Sequence, residues 1–125
     1  MKPFFLKNFS PGAAKYQNKK IQVDGITFDS KKEANVYAEL KLLLAAGEIE
    51  KFDRQVKFIL VPSQYEVVDG KKKNVELPVT YICDFVVYHK DGEKTVIDAK
   101  GMKTPAYVIK RKLMLSVFGL RIKEV

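Results

Sequence analysis

Two runs of the chain, Tyr81-Ile82-Cys83-Asp84-Phe85-Val86-Val87-Tyr88 and Thr95-Val96-Ile97-Asp98-Ala99-Lys100-Gly101, are rich in β-branched and aromatic residues and are separated only by residues 89–94. Such a pair predicts a β-hairpin. Its register decides what the chain can build. A two-residue turn at Asp91-Gly92 pairs Lys90 with Glu93 and sets Asp84 opposite Ala99, so that the two aspartates point to different faces. A three-residue turn, Lys90-Asp91-Gly92 with Gly92 left-handed, pairs His89 with Glu93 and sets Asp84 opposite Asp98. This second register segregates the side chains. Tyr81, Cys83, Phe85, Val87, Ile97 and Ala99 then form an apolar face, while Asp84, Asp98 and Lys100 share the other with Ile82, Val86 and Val96. It is the register expected here.

Directly opposed residues of an antiparallel pair have Cβ atoms about 4.5–5.5 Å apart, and like charges there are destabilising. Two carboxylates converging on one point therefore ask for a cation. Oxygen ligands in this number suit a hard divalent ion such as Mg²⁺, which keeps several of its waters.

The length of 125 residues points to one domain with one core. Cys83, the single cysteine, has no partner for an internal bridge and sits in an apolar strand, as a reduced core residue of a cytosolic protein would. Lys and Arg number 23 against 15 Asp and Glu, a formal net charge of +8, which favours an anionic partner and nucleic acid foremost. No apolar run reaches the length of a membrane span or a signal-peptide core, so a soluble, cytoplasmic protein without membrane contact is expected.

Residues 1–19 mix Pro, Gly and Ser with lysines and aromatic residues, and read as a flexible basic N-terminal arm ahead of a single domain over residues 20–125. Asp24-Gly25 between short apolar runs predicts a small β-ribbon. Ser30 and Glu33 have the spacing of a capping box, opening a helix from Lys31 to about Ala46 that Gly47 ends. Its apolar face is expected from Ala34, Tyr37, Ala38, Leu40 and Leu44. Glu33 has two competing roles, to cap the Ser30 amide or to reach the Asp84/Asp98 site, and the sequence leaves both open. Residues 51–61 read as a long strand ending at Pro62, with Gln55 a candidate polar group near the site. Ser63 to Pro78, containing Asp69-Gly70 and Lys71-Lys72-Lys73, reads as a solvated loop with a basic tip. Pro105 starts a second helix with an apolar stripe of Ala106, Ile109, Leu113 and Val117, closed by Gly119. Residues 120–125 alternate as a final strand.

The order ribbon, helix, three strands, helix, strand is an α/β (α+β) arrangement in which a mixed central sheet is flanked by helices. With Asp84, Asp98-Ala99-Lys100 and Glu33 in these places, the chain resembles the PD-(D/E)xK nuclease superfamily. Phe28-Asp29-Ser30-Lys31-Lys32-Glu33-Ala34, Tyr81-Ile82-Cys83-Asp84-Phe85 and Asp98-Ala99-Lys100-Gly101-Met102-Lys103-Thr104 are similar to a group of small phage and prophage proteins of that superfamily. These are related to Holliday junction resolvases of the archaeal and RecU types. Cys83 stands where the superfamily's name has proline, and Asp98 where glutamate is common, which shortens that ligand by a methylene.

The resemblance covers about residues 15–125 and implies a restriction-endonuclease-like core. It further implies a Mg²⁺- or Mn²⁺-dependent DNA endonuclease, working as a homodimer on branched or four-way DNA inside a host cell. Asp84, Asp98 and the Ala99 carbonyl would hold the metal, Glu33 a second metal or a metal-bound water, and Lys100 would orient the attacking water. Gln55 would assist. Lys19, Lys20, Lys71, Lys72, Lys73, Lys103, Lys110, Arg111 and Lys112 would hold the DNA backbone. The rival reading is a basic DNA-binding protein without catalysis, which accounts for the charge but not for the paired aspartates. Other chemistries lack their residues: His89 is the lone histidine, and there is no glycine-rich phosphate loop and no Ser/His/Asp or Cys/His set.

Overall fold

The computed structural model describes residues 20–99 and 101–125. The N-terminal arm expected over 1–19, Lys19 within it, and Lys100 lie outside the described residues. The chain opens with a ribbon, β1 (Ile21–Val23) and β2 (Ile26–Phe28), whose turn at Asp24-Gly25 places both residues at positive φ. Helix α1 follows at Lys31–Ala45. The Ser30 hydroxyl caps it by accepting the Glu33 amide at 3.1 Å, and Gly47 ends it at φ +74°.

Strands β3 (Lys51–Val61), β6 (Val79–Tyr88), β7 (Lys94–Asp98) and β8 (Ile122–Glu124) form the central sheet in the order β3-β6-β7-β8. The first three are antiparallel and β8 lies parallel to β7. The fold is thus a mixed α+β arrangement with a helix against each face. Helix α1 packs through Ala34, Val36, Tyr37 and Leu40 on Phe85, Val87 and Ile97. Helix α2 (Pro105–Leu113) and the π-helical turn that continues it, Met114–Phe118, pack through Tyr107 and Met114 on Tyr81, Cys83, Val86 and Val96. Gly119 closes this segment at φ +68°.

Several expectations are corrected. Residues 63–78 are not a loop: β4 (Gln64–Val68) and β5 (Lys71–Glu76) form a second ribbon, paired with no other strand among the described residues and exposed at every strand position. Its turn is again Asp-Gly, with Asp69 at φ +51° and Gly70 at φ +75°. Of the expected α2 stripe, Ala106, Ile109, Leu113 and Val117, only Leu113 packs inward, partly buried against the core, and Ala106 is exposed. Ile109 and Val117 are half or more exposed, and Tyr107 and Met114 carry the packing, because two full turns separate them on one side. In α1 it is Val36, and not Ala38 or Leu44, that enters the core. The final strand is shorter than residues 120–125.

Candidate metal centre

The β6–β7 turn is the three-residue one. His89 and Glu93 join backbone amide to carbonyl at 2.8 Å, Gly92 has φ +91°, and the ladder runs Val87↔Thr95, Val86↔Val96, Phe85↔Ile97. The same count puts Asp84 across from Asp98, but the ladder stops one step short. In its place the Asp84 carboxylate accepts the Ala99 amide at 2.7 Å. On the other side of β6, the ladder with β3 pairs Arg54 with Phe85 and Val56 with Cys83, and omits Gln55 and Asp84 between them. Gln55 is left-handed there, at φ +51°, which a side chain larger than glycine rarely adopts inside a strand.

This interruption corrects the expected faces. Tyr81 and Cys83 belong to the α2 side with Val86 and Val96, whereas Phe85 and Val87 belong to the α1 side. Strict alternation fails across Asp84, so Tyr81 is not on a face turned away from Asp98. Its hydroxyl donates to the Asp98 carboxylate at 2.5 Å, and Asp98 is 2% exposed. Ile82, expected beside the aspartates under cover, is half exposed.

Burial is what most strongly raises the Asp84 carboxyl above its usual range. The Ala99 amide acts against it, while repulsion from Asp98 and Glu33 adds to it. Glu33 sits in the first turn of α1 and is 5% exposed. Its carboxyl is raised as well, by burial first and by repulsion from Asp29 and Asp98, with the Asp29 amide and the Arg54 charge opposing. The Glu33 carboxylate accepts a long hydrogen bond from Gln55 Nε2 at 3.4 Å. Three carboxylates feel one another here, from α1, β6 and β7.

Among the described residues no three His, Cys, Asp or Glu side chains close on a single point. The donor set is a close aspartate pair with Glu33 held back by Gln55. Mg²⁺ is ordinarily bound through one or two protein carboxylates, with waters and phosphate completing its shell.

The basic residues are dispersed. Lys20 is exposed at the start of β1. Lys71, Lys72 and Lys73 lie on β5, where Glu66, Asp69 and Glu76 of the same ribbon balance them, and Lys72 rests on the Tyr65 ring at 4.4 Å. Lys103 and Arg111 contact Glu124 at 2.9 and 3.2 Å, so both are tied to β8. Lys112 is exposed and Lys110 partly so. His89 is buried and shares a 2.7 Å hydrogen bond with Thr95 Oγ1. Burial pushes the Cys83 thiol up to about 12, which leaves it an inert core residue.

Sequence reading missed Arg54, Tyr81, Tyr107 and Glu124 as members of these networks. Tyr107 donates to Glu124 at 2.6 Å, and together with Lys103 and Arg111 it fastens α2 to β8 beside Asp98. Nothing local in the sequence marks such pairs.

Residues 13–123 match a family described as "Protein of unknown function (DUF1064)". The chain belongs to this family. No curated protein and no solved structure matches it. For this DUF1064 member, no helix among the described residues is long and apolar enough to cross a membrane.

Proposed function

We propose that this protein is a divalent-metal-dependent DNA endonuclease of the PD-(D/E)xK kind, hydrolysing phosphodiester bonds with a preference for branched DNA. One observation carries the reading. Asp98, buried, and Asp84, partly buried, lie on neighbouring strands close enough to repel each other, and the buried Glu33 repels both. Keeping adjacent carboxylates out of water is costly unless a cation compensates them.

Asp84 and Asp98 would hold Mg²⁺ or Mn²⁺, with the Ala99 carbonyl as a further oxygen. The metal would supply Lewis acidity at a phosphoryl oxygen and lower the pKa of water. The chain's own residues set the stage. The Ala99 amide fixes the Asp84 carboxylate, and the Tyr81 hydroxyl fixes that of Asp98. Gln55 donates to Glu33, a carboxylate that would hold or deprotonate a water beside a bound metal. Lys100, two residues after Asp98, adds a positive charge for the phosphate. Resolving a junction would require two such sites in a symmetric pair of chains.

The test is incubation of the purified protein with supercoiled plasmid and with four-way, flap, single-stranded and linear duplex DNA, in Mg²⁺, Mn²⁺ or EDTA, beside Asp98→Asn. Metal-dependent cutting that Asp98→Asn abolishes is expected, with branched DNA cut fastest. Equal cutting by Asp98→Asn, or none by the wild type, would reject the reading.

A further inference from the structure

Arg54 lies one residue before the left-handed Gln55 and pairs with Phe85, one residue after Asp84. In a regular strand, successive side chains point to opposite faces and share no partner. Here Gln55 donates to Glu33, and the charge of Arg54 acts on the same carboxylate. The turn of the backbone at Gln55 is what allows both.

The guanidinium lies over the Phe28 ring, with Cζ 4.7 Å from its centre. Its Nε is buried without a hydrogen-bond partner, and no salt bridge joins Arg54 to Glu33 among the described residues. The residue as a whole is partly exposed, yet a buried donor atom normally finds an acceptor. This guanidinium lies over an aromatic ring, close enough to Glu33 for its charge to act there, with its buried Nε unspent. The planar fork of arginine matches two oxygens of a phosphate at once, which a lysine does not.

We propose that Arg54 binds the non-bridging oxygens of the phosphate addressed by the Asp84–Asp98 pair, the kink at Gln55 serving to turn it toward that site. This rests on the nuclease reading of the same carboxylates. It would add, besides Lys100, a cation on the substrate side of a site whose own carboxylates repel DNA. The alternative is a structural counter-charge for Glu33, which would serve the fold and not the ligand.

The experiment uses the full chain and a fluorescent duplex oligonucleotide, titrated in Ca²⁺ by anisotropy, with Mn²⁺-supported cleavage measured in parallel. Arg54→Ala, Arg54→Lys and, as a control on the same strand, Lys57→Ala are compared with the wild type. Circular dichroism and thermal melting report folding. Arg54→Ala should weaken binding by about tenfold or more and lower kcat by about 100-fold, with Arg54→Lys recovering only part of either. Lys57→Ala should change binding by less than about twofold. Should Arg54→Ala fold poorly, Arg54→Lys alone carries the comparison, since it keeps the charge and loses only the fork.

Binding by both Arg54 variants equal to that of Lys57→Ala would overturn the inference while leaving cleavage by the wild type intact. So would the absence of any binding by the wild type in Ca²⁺. Arg54-dependent binding by a wild type that cuts nothing in Mg²⁺ or Mn²⁺ would uphold the inference and reject the nuclease reading instead.

Discussion

Tyr81 on β6 donates its hydroxyl to Asp98 on β7 at 2.5 Å, in a region closed to water. Its own ionisation is pushed far up, by burial first and then by this bond, so it stays a donor across the working pH range. Tyr81→Phe leaves Asp98 without that partner and should cost about 1–3 kcal/mol in urea denaturation. Because the bond also fixes the carboxylate, Mn²⁺ affinity by calorimetric titration should fall by about 10-fold or more.

Asp84 gives a pH signature. Its carboxyl is raised on folding, by burial above all, so the folded chain holds a proton that the unfolded chain has released. Stability of the metal-free protein should therefore decline as pH rises above the ordinary carboxylate value of 3.8. Asp84→Asn should melt higher than the wild type at pH 8 and show little advantage at pH 4. Adding Mg²⁺ should raise the wild type's melting temperature at pH 8 and leave the variant's unchanged. A wild type indifferent to Mg²⁺ would speak against a metal at this pair.

The two proposed duties of Glu33 separate by substitution. Ser30→Ala removes the hydroxyl that accepts the Glu33 amide and should cost about 1 kcal/mol of stability with cleavage per folded molecule preserved. Glu33→Gln keeps the side chain's size and removes a charge that burial disfavours, so stability should hold or rise. Its metal-dependent cleavage should nonetheless drop by about 100-fold. Full activity in Glu33→Gln would confine the residue to the helix terminus.

Glu124 predicts the acid behaviour of the other side of the sheet. Burial pushes its carboxyl up, but hydrogen bonds from Tyr107, Lys103 and Arg111 outweigh this and hold it at about 2. A lowered carboxyl contributes stability above its unfolded value of 4.5 that is lost as pH falls toward about 2. Glu124→Gln should cost about 1–2 kcal/mol at pH 7, allowing for the exposure of its lysine and arginine partners, and almost nothing near pH 2. Urea denaturation at the two pH values decides it.

What could be read from the sequence was whatever is encoded within a few residues. The Asp24-Gly25 turn, the Ser30 cap, the glycine closures at Gly47 and Gly119, and the Lys90-Asp91-Gly92 loop are local backbone chemistry, and each is present. The β4–β5 ribbon carries the same Asp-Gly signal, but the charge run Lys71-Lys72-Lys73 beside it has the pattern of a solvated loop. The position of Asp84 relative to Asp98 followed from counting. The partners of those carboxylates did not, because Tyr81 reaches Asp98 only where alternation fails along β6, at Asp84, across from the left-handed Gln55. The π-helical turn at Met114–Phe118 likewise shifts which residues of the last helix face inward, with no residue type announcing it.

Val61 and Val79 face each other as the last pair of the β3–β6 ladder, and the whole β4–β5 ribbon is strung between them. Its two ends therefore leave and return at one point. A tight turn, a longer arm or a different ribbon could be grafted there with the strands below unchanged, since closing so short a gap adds little entropic cost. The carboxylates and the appendage are thus free to diversify separately. Related chains could exchange the one like a tool head while inheriting the other intact.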